Sequence, residues 1–171
     1  MTERQSLQTE LTGLEARLRE LNDALEAGQD AAELADKVIA KLDKAENWGL
    51  LSIITSLFVP EFRTVKQMKE INPLLDALQI YLRRYHRKLT VVAAEAPLYT
   101  EISENLFSVR GTALFLHLDY AYLRNIQGML AQVKTAREEI NNAQSHLLTL
   151  RAEAEQRMER IRSRQEEGSI L

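Results

Sequence analysis

The sequence predicts an all-α protein in which the first and last helices form a long antiparallel coiled-coil stalk that carries a small helical head. Three observations predict this fold class. Apolar residues recur at heptad spacing near both ends of the chain, only six Gly and three Pro interrupt it, and 45% of the residues are hydrophobic. Sustained heptads are typical of coiled coils, few turn residues favour long helices, and the hydrophobic fraction is enough for a core. We expect one domain over residues 1–171.

The first helix is predicted over residues 1–46. Its apolar positions alternate spacings of four and three, which places them on one side of a helix. Gly28 lies in this series without changing its phase, so we expect the helix to be continuous or slightly kinked there, with small residues that let a neighbour approach closely. The series consists of Leu7, Leu11, Leu14, Leu18, Leu21, Leu25, Gly28, Ala32, Ala35, Ile39 and Leu42.

The next residues, 47–60, contain no charged side chain in a chain that is 27% charged. The stretch is shorter than the roughly 20 residues that span a bilayer. It also lacks the Lys and Arg that border a helix lying on a membrane surface. We therefore expect a helix buried in the head, with a dimer interface and membrane contact as alternatives. Its interacting residues are predicted to be Trp48, Leu50, Ile53, Ile54, Leu57 and Phe58.

The head is predicted over residues 47–125, with a short helix at 61–71 before a longer one. Asn72 followed by Pro73 is typical of a helix start, and Pro97 would end that helix. Residues 102–118 fit a helix or a hairpin that turns at Arg110 and Gly111. The apolar side of the longer helix consists of Leu75, Leu78, Leu82, Tyr85, Leu89, Val92 and Ala96.

The last helix is predicted over residues 126–167, followed by a tail at 168–171. If it pairs antiparallel with the first helix, Leu7 lies near Ile161 and Leu42 near Ile126. Parallel pairing of one heptad series between two chains is the alternative. The series consists of Val133, Ala136, Ile140, Ala143, Leu147, Leu150, Ala154, Ile161 and one polar member, Arg157.

Four cations, Arg83, Arg84, Arg87 and Lys88, lie between apolar positions of the longer head helix. They are predicted to point away from its apolar side, either into solvent or towards the first helix, in which acids outnumber bases. An acidic protein or a membrane is the next alternative. The net charge of −3 does not favour a nucleic-acid partner.

Catalytic and metal-binding patterns are not found in the sequence. Helical di-metal sites use Glu three residues before His, and His86, His117 and His146 follow Arg83, Leu114 and Ala143 instead. A nucleophile elbow, a cysteine and a glycine-rich phosphate loop are also missing. We expect no enzyme activity, no metal and no cofactor.

The motif Lys44-Ala45-Glu46-Asn47-Trp48-Gly49 closes the first heptad helix and precedes an apolar segment and a second coiled-coil helix. In this it resembles a group of uncharacterised bacterial coiled-coil proteins that carry a Lys-Ala-x-x-Trp-Gly element. The similarity runs from about residue 34 to 161, with Leu118-Asp119-Tyr120 as a second point. The resemblance implies a helical coiled-coil architecture and no catalytic residues.

These patterns indicate a non-catalytic coiled-coil interaction or scaffold protein. We expect it to form homo-oligomers, dimers first, and to bind a protein partner. The alternative function is peripheral membrane binding through residues 48–62 and the basic flank 83–88. Because the amino terminus lacks an apolar signal-peptide core and the chain lacks cysteine, we expect a cytoplasmic protein.

Overall fold

A computed structural model describes residues 3–55, 61–93 and 119–167, and the side chains of residues 4–47, 69–92 and 124–166 within them. All three ranges are helical, which confirms the all-α prediction. Helix α1 spans Glu3–Thr55, α2 spans Glu61–Ala93 and α3 spans Asp119–Glu167. Residues 102–118, for which helix and hairpin were both considered, and the tail at 168–171 lie outside the described residues.

Helices α1 and α3 run antiparallel along most of their length. Near the start of α1, Glu10 Oε1 accepts a 2.7 Å hydrogen bond from Arg157 Nε of α3. Near its end, Asp43 lies 3.2 Å from Lys134 Nζ. Leu7 packs against a buried cluster that contains Ile161, in agreement with the predicted register. The first and last helices are therefore neighbours in opposite directions, as the heptad series predicted.

Helix α2 also packs antiparallel against α1. Lys88 Nζ lies 2.6 Å from Asp23 Oδ2, and Glu70 Oε2 lies 2.9 Å from Lys41 Nζ. The sequence placed α2 in a head region, whereas the structure lays it beside the middle of α1. Since α2 and α3 are both antiparallel to α1, they run parallel to each other.

A second apolar stripe on α1 explains where α2 packs. It lies between the heptad series and the side chains that pair with α2, and it is buried throughout. Positions one and two heptads earlier are polar or lack a side chain: Arg17 and Glu10 precede Ala24, while Glu20 and Gly13 precede Ala27. Helix α1 thus offers two apolar sides after about residue 21 and one before it. The stripe consists of Ala24, Ala27, Ala31, Val38 and Ala45.

The core follows this division. One buried cluster takes residues from all three helices, from Leu21 to Ala45 of α1, Ile71 to Val92 of α2 and Ile126 to Leu147 of α3. A second, smaller cluster lies between α1 and α3 alone and contains Leu11, Met158 and Ile161. The molecule is a three-helix bundle from which the start of α1 and the end of α3 project as a two-helix arm.

The predicted helix start at Asn72 is wrong, and so is the separate short helix at 61–71. Helix α2 continues through Pro73. A proline inside a helix removes one backbone hydrogen bond and destabilises it by about 3 kcal/mol or more. Ile71 and Leu75 flank the proline and are both buried in the core, so their packing against α1 offsets that loss.

Two details of the other helices also differ from or extend the predictions. Met158, not Arg157, is the buried residue of α3: Met158 is 6% exposed, and Arg157 points outward to Glu10. The core therefore departs from the predicted series at this one position, because Ala154 and Ile161 on either side of it are buried as predicted. Helix α1 passes Gly28 without a break and extends beyond residue 46 to Thr55.

Candidate interaction surfaces

The four predicted basic residues of α2 divide into two pairs. Arg84 and Lys88 turn towards α1, where Arg84 Nη1 lies 3.3 Å from Asp30 and Lys88 Nζ lies 2.6 Å from Asp23. The hydrogen bond from Lys88, together with its charge, holds the pKa of Asp23 below its ordinary value. These two cations therefore neutralise acids of the first helix.

Arg83 and Arg87 are exposed and point away from the apolar side of α2. Within the part of the chain that the structure describes, Arg87 has no acidic partner. The basic surface predicted from four residues is thus smaller than expected, because Arg84 and Lys88 face α1. So small a basic surface would bind an anionic membrane only weakly, because each exposed cation contributes on the order of 1 kcal/mol to the binding free energy.

Side chains of α2 and α3 both lie close to the backbone of α1 at Gly28. A β-carbon at this position would lie 2.8 Å from Tyr85 Cε2 of α2 and would overlap the side-chain amide of Gln144 of α3. Gln144 Nε2 donates a 2.8 Å hydrogen bond to the carbonyl oxygen of Leu25. At Gly28, both neighbouring helices therefore reach the backbone of α1.

Tyr85 fills the centre of this junction and is fully buried. Its hydroxyl has no hydrogen-bond partner within the described residues. Burial raises the pKa of the Tyr85 phenol well above its ordinary value, so the hydroxyl stays protonated at every physiological pH. A phenol in this state is a packing group and does not act as a base.

Glu139 of α3 is the other polar group with a buried, unpartnered atom, its Oε2. Burial raises the pKa of this carboxyl above its ordinary value. A carboxyl with a raised pKa is a candidate general acid only when a second reactive group lies beside it. The described helices contain no cluster of three His, Cys, Asp or Glu side chains suited to hold a metal ion.

The uncharged stretch lies partly beyond what the structure describes. Trp48, Leu50, Ile53 and Ile54 belong to the last turns of α1, which agrees with their predicted helical conformation. Their side-chain contacts lie outside the described residues, and Leu57 and Phe58 lie outside them altogether. The prediction that this stretch interacts with other apolar surfaces therefore stays a prediction.

Gln144 and the alanine stripe are the features that the sequence interpretation missed. Gln144 follows Ala143 of the heptad series, and a long amide beside a seam is the signal that could have indicated an interhelical hydrogen bond. The alanine stripe recurs at heptad spacing beside the leucines and could have indicated a third helix. Both signals are weak because Ala and Gln are also common on exposed helix surfaces.

No segment of the described helices is long and apolar enough to cross a membrane. Glu61 to Ala93 and the arm carry charged residues at regular intervals, consistent with that result. Comparison with protein-family models, with curated proteins and with solved structures finds no match for this chain.

Proposed function

We propose that this protein is a non-catalytic scaffold that presents interaction surfaces on a rigid helical frame. The observation that carries the proposal is the three-helix bundle with its two-helix arm. The 53 residues of α1 correspond to a rod of roughly 80 Å. A rod with a packed base and a projecting arm suits a protein that holds partners apart or aligned.

The composition of the core supports a structural role. Among the residues with described side chains, the fully buried set contains no charged residue. Enzyme sites in helical bundles place several ionisable groups between facing helices. Here, the buried Tyr85 and the half-buried Glu139 are the two side chains that have a buried, unpartnered polar atom in the described part. Neither is accompanied by a metal-ligand cluster.

Self-association belongs to the proposal, with a dimer as the first expectation and a protein partner as the second. The heptad series of the three helices pack against one another inside one chain. Parallel pairing of one series between two chains would have to displace these contacts. Among the residues whose side chains the structure describes, self-association or binding of another protein therefore has to use an outer surface of the bundle or arm, and the uncharged stretch 47–60 stays a further candidate.

Scattering and mass measurements test this proposal. We expect small-angle X-ray scattering to give an elongated particle whose maximum dimension approaches the length of α1. Circular dichroism should show high helicity, and light scattering should show a mass that rises with concentration. A compact, near-spherical particle would overturn the scaffold proposal.

A second candidate function is peripheral membrane binding through residues 48–62 and the basic flank 83–88. The outward-facing Arg87 and the uncharged stretch favour it. The pairing of Arg84 and Lys88 with α1 weakens it, since those charges are already neutralised. Co-sedimentation with vesicles rich in anionic lipid at low salt decides the matter, and the absence of binding there would end this candidate. Under either function we place the protein in the cytoplasm, in keeping with its lack of cysteine.

A further inference from the structure

Gln144 joins α3 to the backbone of α1, whereas the ion pairs between helices join side chains near the surface. Its Nε2 donates a 2.8 Å hydrogen bond to the carbonyl oxygen of Leu25, and this bond is partly buried. Each interhelical ion pair named above includes an exposed side chain. An exposed pair contributes only about 0–1 kcal/mol. The bond of Gln144 therefore depends more strictly on where α3 lies along α1.

The space that the Gln144 amide enters exists at one level of the heptad series of α1. Residues seven apart in such a series occupy equivalent places on the helix. A β-carbon at Gly28 would overlap the Gln144 amide, and every other residue at an equivalent place carries a β-carbon. A glutamine of α3 therefore fits against this side of α1 at Gly28 and not one heptad away. The equivalent places are Leu7, Leu14, Leu21, Gly28, Ala35 and Leu42.

Heptad spacing by itself does not distinguish one alignment of α3 from the next. A shift of α3 by seven residues along α1 returns the apolar series of both helices to the same side and moves α3 by roughly 10 Å. After such a shift, Gln144 would face Leu21 or Ala35 in place of Gly28. Its amide would meet a side chain there and would lose the hydrogen bond to Leu25. The shifted alignments are therefore less favourable than the observed one.

The residues that would replace Gln144 also oppose a shift. Arg137 and Arg151 lie one heptad before and one heptad after it on α3. A shift would bring one of these two guanidinium groups into the partly buried space beside Gly28, and burying a charge without a partner is costly. Arg137 would in addition leave Asp36, whose Oδ1 lies 2.8 Å from its Nε. One heptad position of α3 thus carries a neutral amide between two cations, and the amide is the group that fits.

We infer that Gln144 and Gly28 form a register lock, which selects one of several heptad alignments of α3 along α1. A single polar residue at a buried position is a well-attested way in which paired helices specify their register. The lock sets how far the tip of the arm lies from the bundle, because each shift of one heptad would move α3 by roughly 10 Å. The inference concerns the alignment of the helices and stands whether or not the protein is a scaffold.

Distances between two spin labels on the full chain test the inference by pulsed electron paramagnetic resonance. The chain contains no cysteine, so Gln8→Cys on α1 and Asn142→Cys on α3, both exposed, can be labelled selectively. The two sites lie roughly 30 Å apart along the axis, and a shift of one heptad changes this by roughly 10 Å. The labelled chain should give one distance. Gln144→Ala should raise the ratio of shifted to unshifted chains about ten-fold, which corresponds to about 1.4 kcal/mol. A second distance should therefore appear.

Two control variants and a salt series complete the experiment. Gln132→Ala removes an exposed glutamine of α3 and should keep one distance. Val38→Ala removes a buried contact on the side of α1 that faces α2, so it lowers stability without touching the lock and should also keep one distance. A single distance in Gln144→Ala would overturn the inference, as would a second distance of equal size in Val38→Ala. A second distance in the labelled parent chain at about 1 M salt, where exposed ion pairs are screened, would assign the register to those pairs instead.

Discussion

Gln144 of α3 places its side-chain amide in the space that a β-carbon on Gly28 of α1 would fill. From there, its Nε2 donates a 2.8 Å hydrogen bond to the carbonyl oxygen of Leu25. Tyr85 of α2 closes the same space from the other side, 2.8 Å from the position of that β-carbon. One missing side chain therefore lets two helices contact the backbone of a third at a single level of the bundle.

Gly28→Ala is expected to destabilise the protein by about 1–3 kcal/mol, measured by urea unfolding. Alanine improves helix propensity by about 1 kcal/mol. Against that gain, the new methyl group overlaps a fully buried ring, and overpacking costs about 1–3 kcal/mol. The displaced Gln144 amide also loses a hydrogen bond worth about 1 kcal/mol. The unfavourable effects exceed the gain.

Gly13→Ala and Gly128→Ala are the matched controls. Both glycines lie inside long helices, and a β-carbon at either one meets no atom within 4 Å. Each change should stabilise the protein by about 0.5–1 kcal/mol through helix propensity alone. If Gly28→Ala stabilised the protein as much as these controls do, the close approach at the junction would be refuted.

Tyr85→Phe is expected to be neutral or to stabilise the protein by about 1 kcal/mol. The ring stays buried, while a hydroxyl without a described partner is removed, and burying an unpaired hydroxyl costs about 1–3 kcal/mol. Tyr85→Ala, in contrast, should cost about 3–5 kcal/mol because it leaves a cavity among three helices. Thermal and urea unfolding measure both. A loss above 1 kcal/mol for Tyr85→Phe would mean that the hydroxyl has a stabilising partner.

Glu139→Gln should stabilise the protein at neutral pH and have no such effect in acid. The folded-state pKa of Glu139 lies above the unfolded value of 4.5, because burial disfavours the charge. The folded state therefore binds more protons than the unfolded state between the two pKa values, and stability falls as pH rises through that window. The amide avoids this loss. A pH series of urea unfolding from below 4.5 to 7 measures the difference between the two proteins.

Asp23→Asn should change stability in the opposite direction to Glu139→Gln when both are measured in the same pH series. The pKa of Asp23 is lowered by Lys88, so its contribution is present above the ordinary pKa and is lost as pH falls through the folded-state value. The variant should have a lower free energy of unfolding than wild type at neutral pH, and the two values should become equal in acid. Identical pH profiles for Asp23→Asn and Glu139→Gln would contradict at least one of the two assignments.

The arm should open locally before the bundle unfolds. Residues 3–20 and 150–167 are covered by one neighbouring helix, and their buried cluster is small. Backbone amides there should exchange with solvent at least ten-fold faster than those of residues 24–45, which three helices enclose. Native-state hydrogen exchange followed by mass spectrometry gives the comparison. Uniform protection along α1 would contradict the division into bundle and arm.

Much of the fold could be predicted because heptads report burial directly. The buried leucines of α1 and the series from Leu75 to Val92 follow from spacing, and the antiparallel pairing that brings Leu7 to Ile161 was expected from the similar lengths of the two terminal series. The position of α2 did not follow, since spacing shows which side of a helix is buried and not which helix covers it. The alanine stripe that decides this point is chemically weak and resembles an ordinary helix surface.

The candidate surfaces were predicted less completely than the fold. Charge alone identified the cations of α2, but it did not separate Arg84 and Lys88, which face α1, from Arg87, which does not. That separation depends on the direction in which α2 lies across α1.

The second apolar stripe of α1 begins only after about residue 21, so α2 does not depend on the residues of the arm. The length of the arm can therefore change without any change in the three-helix bundle. Seven residues removed from α1 before residue 21, together with seven from α3 after residue 150, would preserve the heptad register on both helices. The tip would then lie about 10 Å closer to the bundle, with its core intact. A deletion in one helix alone would leave the two sides unequal by one heptad. The length of the arm can therefore change only in steps of one heptad taken from both helices together.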